Sequence, residues 1–219
     1  MARTRIKICG IRRAADAVAA AQAGADAIGM VFHPAAARFI DENQAREILA
    51  ALPPFVTPVG LFVDAPINTV RQTARSLGLR HIQLHGHEDA AYIRELAEFV
   101  ILKAVRVDRS TFSTELAQWR SEGLANLAGI ILETPSASPG GTGLVNDWDF
   151  VRECRSKGLF QGLPAIIAAG GLTPENVAAV VRDVQPWAVD VSSGVESSKG
   201  VKSAEKMAEF VKAARSNDQ

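Results

Sequence analysis

Eight short runs of β-branched and apolar residues alternate with longer helical patterns along the chain. This alternation constrains the fold more than any other feature. Strand followed by helix, repeated, gives a parallel sheet covered by helices. The runs predict strands at Arg5–Cys9, Asp26–Val31, Pro58–Val63, His81–Leu84, Val100–Val105, Ala128–Leu132, Ala165–Ala168 and Trp187–Val191. Between and after them the pattern predicts helices over Ala14–Ala23, Asp41–Leu52, Ile67–Leu77, Asp89–Glu98, Ser110–Glu122, Trp148–Lys157, Pro174–Val184 and Ser203–Ala214. Gly24 and Gly78 close two of these helices, and Pro53-Pro54 stops a third. The strands are apolar nearly throughout, as strands buried on both faces are.

No composition break or linker divides the units, so residues 1–219 are expected to form a single α/β domain, a (β/α)8 barrel with eight parallel strands. An open doubly wound sheet is the alternative. It predicts a G-x-G-x-x-G turn after the first strand, where this chain has C-G-I-R-R. Lys plus Arg equals Asp plus Glu, at 24 each, which argues against a dedicated nucleic-acid or membrane-surface binder. The two cysteines, Cys9 and Cys154, form no disulfide framework and fit a reducing compartment. The N-terminal segment has positive charge but no signal-peptide core, and no run approaches a membrane span. The expectation is a soluble cytoplasmic protein.

A barrel of this kind carries its chemistry at the C-terminal ends of its strands. Those ends hold Cys9-Gly10, F-H-P-A-A-A-R-F with Arg38, Asp64, His85-Gly86, Lys103 with Arg106, Glu133, A-A-G-G at Ala168–Gly171 and D-V-S-S-G at Asp190–Gly194. Gly170, Gly171, Ser192, Ser193 and Gly194 follow the last two strands, with a short helix expected near Gly194. This pattern fits a usual phosphate site of such barrels, where backbone N–H groups and a helix N-terminus favour an anion; the alternative is that the glycines only turn the chain. Side chains alternate along a strand, so Lys7 and Cys9 share a face, and a lysine is a poor choice for the helix-facing side. Lys7 and Cys9 therefore point toward the barrel axis. Cys9 and Glu133 form the candidate catalytic pair, with a packing role for Cys9 as the alternative. Cys154 falls on an outer helix and reads as structural. The histidines show no metal-ligand pattern.

The blocks K-I-C-G-I (Lys7–Ile11), G-A-D-A-I-G-M-V-F (Gly24–Phe32), R-F-I (Arg38–Ile40), V-G-L-F-V (Val59–Val63), Q-L-H-G (Gln83–Gly86), L-K-A-V-R-V (Leu102–Val107), G-G-T-G (Gly140–Gly143), A-G-G-L-T-P-E-N-V (Ala169–Val177) and V-D-V-S-S-G-V-E (Val189–Glu196) resemble, in order, the phosphoribosylanthranilate isomerase family of tryptophan biosynthesis. The resemblance implies an Amadori rearrangement of a phosphosugar aminoaldose to an aminoketose, with no metal or organic cofactor. It implies Cys9 as general base and a carboxylic acid after strand 6 as general acid. Arg38 would grip the anthranilate carboxylate, His85 would line the sugar site and Asp190 would contact the substrate's hydroxyls, with Lys7 beside them. The two glycine-serine loops would hold the phosphate. The expected partner is a small-molecule phosphosugar, not a nucleic acid or a membrane, and the working unit is a monomer or homodimer.

One position departs from the family pattern. Strand 6 ends I-I-L-E-T, with Glu133 where the family usually has aspartate. The added methylene can carry the carboxyl past its place, and about 1 Å of misplacement can lower a rate on the order of a hundredfold. Three readings follow: Glu133 is the acid, Asp147 or Asp149 replaces it, or the barrel binds phosphosugars without turnover. The loop after G-G-T-G also reads L-V-N-D-W, which suggests altered geometry there. An isomerase of the analogous histidine-pathway aminoaldose is a further alternative, against which Cys9 argues.

Overall fold

The structure is a computed structural model that describes residues 3–135 and 145–216. G-G-T-G at Gly140–Gly143 lies outside the described residues. The strands are β1 (Arg5–Cys9), β2 (Ala27–Val31), β3 (Thr57–Phe62), β4 (His81–Leu84), β5 (Val100–Arg106), β6 (Leu127–Glu133), β7 (Ala165–Ala168) and β8 (Ala188–Val191). They form a closed barrel in sequence order, every pair parallel. The expected (β/α)8 barrel is what the chain forms.

The helices are α1 (Ala14–Ala23), α2 (Glu42–Ala51), α3 (Ile67–Ser76), α4 (Ala90–Glu95), α5 (Phe112–Ser121), α6 (Trp148–Ser156), α7 (Val177–Val184) and α8 (Ala204–Ala214). Their starts follow local chemistry. Asp41 opens α2 in a reciprocal capping box with Gln44. Asp89, Asp147 and Ser203 cap α4, α6 and α8 by accepting from backbone N–H groups. α7 begins later than the sequence pattern predicts. Asn176 turns back, accepting from the Thr173 N–H at 2.8 Å and donating to the Gly171 carbonyl at 2.9 Å, so L-T-P-E is spent in a turn. β2 likewise begins after Asp26, whose carboxylate accepts from the Ile6 N–H at 2.9 Å.

The main core lies between the barrel and its helices. Ile6 and Ile8 of β1 are fully buried there, with Ile28, Met30, Ile82, Val180 and Phe210 among their company. Lys7 and Cys9 take the opposite face, as strand alternation requires. A smaller cluster of Ile131, Ile167, Ala169 and Ala188 fills the barrel interior. Above it, Cys9, Val31 and Leu61 form the apolar floor of the C-terminal face. Cys154 on α6 is buried against the main core, in line with a packing role. Among the described residues no helix is long and apolar enough to cross a membrane.

The stretch after β8 corrects one expectation. The short helix near Gly194 is a single 3-10 turn, Ser193–Val195, followed by an antiparallel hairpin of β9 (Glu196–Ser198) and β10 (Val201–Lys202). The cause is a side chain. Glu196 is buried, and its carboxylate accepts from the Gly200 N–H at 3.1 Å, which folds the chain back on itself.

Candidate active site

The C-terminal ends of the strands surround a cavity of about 1090 Å³. That is ample for a ligand the size of a phosphorylated sugar bearing an aromatic ring. Cys9, Arg38, His85, Glu133, Asp190, Gly170, Gly171, Ser192 and Ser193 all line it. Lys7 lies one layer deeper, where its Nζ donates to Asp190 Oδ2 at 2.7 Å. Gly194 is not on the cavity wall. A side chain there would overlap the Leu172 carbonyl, so Gly194 is where the β7–α7 and β8–α8 loops pack together.

Gly10 explains why a glycine follows the cysteine. Its φ of +76° is one that side-chain-bearing residues rarely adopt, and a Cβ would overlap the Arg38 side chain. The turn after β1 thus gives Arg38 passage into the cavity. Arg38 is buried, and Nε and Nη2 donate to Glu196 Oε1 and Oε2 at 2.7 and 2.9 Å.

The electrostatics differ at each group. Burial works against the Lys7 ammonium, but the Asp190 carboxylate and Cys9 hold its pKa above the ordinary lysine value. The Cys9 thiol is pushed up by burial, against the pull of Lys7. The lysine the sequence puts on the cysteine's face is therefore near, yet spent largely on Asp190, and the ligand-free site holds a thiol. Glu133 is raised to about 7 by burial and by the neighbouring Asp190 carboxylate, with Lys7 and the Thr134 N–H pulling the other way. Glu133 thus holds its proton much closer to neutral pH than an ordinary glutamate, which suits it to general acid work. His85 is lowered to about 4 by burial and by Lys103, Lys7 and Arg106, so it is neutral. Its Nε2 lies 3.8 Å from Glu133 Oε1, while Nδ1 is 3.0 Å from Gln83 Nε2. With the Gln83 amide donating, the imidazole proton sits on Nε2 and faces Glu133.

Asp147 and Asp149 stand elsewhere. Asp147 caps α6 and pairs with Arg109 at 2.7 Å. Asp149 is 82% exposed at its side chain and pairs with Arg152. Neither lines the cavity. Among the described residues no group of three or more His, Cys, Asp or Glu could hold a metal ion.

Sequence reasoning missed the supports. Glu88 is buried and accepts from the Asp64 and Gly86 N–H groups and from Lys103 Nζ, at 2.9, 2.9 and 3.0 Å. Lys103 also donates to the Gly86 carbonyl at 2.6 Å, so the loop carrying His85 is tied down from both sides. Lys202 donates to Glu196 Oε1 at 3.0 Å and to the Ser192 carbonyl at 2.9 Å. Glu196 closes the V-D-V-S-S-G-V-E motif and Lys103 stands in β5, but nothing local in the sequence pairs residues so far apart. Asp190 Oδ1 and Gln83 Oε1 are buried without a hydrogen-bond partner among the described residues, which leaves acceptors at the cavity for a ligand's hydroxyls.

A family model described as N-(5'-phosphoribosyl)anthranilate (PRA) isomerase matches residues 6–213. N-(5'-phosphoribosyl)anthranilate isomerase of Pseudomonas aeruginosa strain LESB58 is 46% identical over 217 residues, covering 99% of this chain and 97% of that protein. The crystal structure of phosphoribosyl anthranilate isomerase from Thermotoga maritima superposes with a TM-score of 0.85 at 36% identity, covering 96% of this chain and 98% of that one. A further solved isomerase, in complex with reduced 1-(o-carboxyphenylamino)-1-deoxyribulose 5-phosphate, superposes with a TM-score of 0.82 at 35% identity over the same shares. This chain belongs to the N-(5'-phosphoribosyl)anthranilate isomerase family.

Proposed function

We propose that the chain converts N-(5'-phosphoribosyl)anthranilate to 1-(2-carboxyphenylamino)-1-deoxyribulose 5-phosphate, with Glu133 as general acid and Cys9 as general base. The observation that carries this reading is the Glu133 carboxyl. It shares one cavity with Cys9, and burial beside Asp190 keeps its pKa at about 7. A proton on Glu133 passes to the furanose ring oxygen. The C1–O bond breaks, and the amine lone pair forms the C1–N double bond of a protonated Schiff base. The Cys9 thiolate takes the proton from C2. Its electron pair becomes the C1–C2 double bond, and the iminium electrons return to nitrogen. The enolamine then takes a proton at C1 while its C2 hydroxyl gives one up, the O–H electrons forming the C2–O double bond of the aminoketose.

The other groups bind. Arg38 presents its guanidinium to the anthranilate carboxylate. Asp190 and His85 meet the sugar; burial pushes the Asp190 carboxyl up, and the Lys7 ammonium pulls it the other way. Gly170, Gly171, Ser192 and Ser193 surround the phosphate, with Gly194 holding their two loops together. We read the chain as cytoplasmic, since its two cysteines are unpaired and buried. A phosphosugar is its small-molecule partner, and a monomer or homodimer is its working unit.

Turnover of the substrate by the purified protein tests the assignment, beside Cys9→Ala, Glu133→Ala and Glu133→Asp. The native protein is expected to turn over, both alanine variants to lose most of kcat, and the aspartate variant to keep a measurable part of it. Full activity in Glu133→Ala would move the acid elsewhere. An inactive native protein gaining turnover as Glu133→Asp would make the natural barrel a silent binder.

A further inference from the structure

Arg38 reaches the cavity from a loop, on a long flexible side chain, yet it is buried and its direction is fixed. The fixing comes from Glu196. Nε and Nη2 form one edge of a guanidinium, and Glu196 takes both in a bidentate pair at 2.7 and 2.9 Å. The adjoining edge, made by Nη1 and the second Nη2 proton, makes no hydrogen bond among the described residues. That edge is itself a two-pronged donor of the shape a carboxylate accepts.

Glu196 is in turn held from every side. Its Oε1 accepts from Lys202, its Oε2 from the Gly200 N–H, and its backbone carbonyl from Lys206 Nζ at 2.8 Å. Burial works against the charge, but Arg38, Lys202 and the Gly200 amide keep the Glu196 pKa at about 2. Two cations, Arg38 and Lys202, pair with the one Glu196 carboxylate. An excess positive charge is left in a buried place, ready for an anion.

We propose that Glu196 is a positioning residue for substrate recognition: it clamps one edge of Arg38 so that the other edge is fixed for the anthranilate carboxylate. The proposal rests on the reading of Arg38 as the carboxylate's partner. It goes further in assigning the specificity for a ring carboxylate to a residue that does not touch the substrate. Lys202 extends the same unit to the phosphate loop through the Ser192 carbonyl, so the carboxylate grip and the phosphate loop share one scaffold.

The test is a binding cycle by calorimetry. One ligand is the reduced product analogue, reduced 1-(o-carboxyphenylamino)-1-deoxyribulose 5-phosphate. The other is its counterpart without the ring carboxylate. Glu196→Gln keeps the shape and removes the charge. It is expected to weaken the carboxylated ligand about tenfold or more, the scale of a charged hydrogen bond, and to leave the other nearly unaffected. Arg38→Met is expected to show the same selectivity, more strongly. Where Glu196→Gln fails to fold, Glu196→Asp keeps the charge, withdraws the clamp by one methylene and is expected to lose affinity with the same selectivity. Selective loss in Arg38→Met with unselective loss, or none, in the Glu196 variants overturns the proposal. Unselective loss in Arg38→Met itself overturns the reading on which it rests.

Discussion

Cys9 and Glu133 share a proton economy that the pH dependence of the reaction reports. Glu133 titrates at about 7, and burial holds the Cys9 thiol above its ordinary value. Below pH 7 both groups are protonated, so the acid is ready and the base is not. Between the two pKa values the pair carries one proton. The reacting form has that proton on Glu133 and a thiolate on Cys9, in equilibrium with the reverse arrangement of equal charge. Above the thiol pKa both protons are gone and the acid is lost. The kcat/KM profile is therefore expected to rise through about pH 7 and to fall above the thiol pKa; in the residual activity of Glu133→Gln the rise moves up to the thiol pKa and the fall disappears. A lower limb near 4 would implicate His85 instead. At Gly10, alanine demands a strained φ and collides with the Arg38 side chain. Gly10→Ala is expected to raise KM and lower the thermal midpoint, and unchanged values of both would contradict the packing described.

At the scale of elements, the loops are held by buried carboxylates that the sequence pattern does not reveal. Glu88 ties Asp64, Gly86 and Lys103 together beneath His85. Glu88→Ala strands the Lys103 charge, at 2% exposure, without its anion, and is expected to lower stability by about 3–5 kcal/mol in denaturant unfolding. A loss under about 1 kcal/mol would mean that water replaces the carboxylate. The glycine at 194 packs the β8–α8 loop on the Leu172 carbonyl of the β7–α7 loop, the two loops proposed to hold the phosphate. A methyl group forced against backbone costs about 1–3 kcal/mol. Gly194→Ala is thus expected to weaken inorganic phosphate binding by roughly tenfold, read by competition against the substrate. The strand-helix order was legible because buried parallel strands and amphipathic helices each leave a period in the chain. The β9–β10 hairpin was not, because it is made by Glu196 reaching Gly200 and Arg38, a long-range ion pair with no local period. The late start of α7 has the same origin, in the turn closed by Asn176.

For the molecule as a whole, closing eight strands in order brings residues from both ends of the chain to one face. Lys7 meets Asp190, and Arg38 meets Glu196. The strand ends named from the sequence reach this face because the barrel rule fixes where they go. Their charge states were beyond the sequence, since Lys7 aids Cys9 less than shared strand parity suggests once Asp190 takes its ammonium. The proposed acid step depends on Glu133. Glu133→Gln keeps the volume and hydrogen-bonding shape of the side chain and removes its acidity, so its kcat tests the central claim directly. A fall of about a hundredfold to ten-thousandfold is expected, with the reduced product analogue bound as tightly as by the native protein. Turnover near the native rate in Glu133→Gln would contradict it, and the proton would have to come from another group.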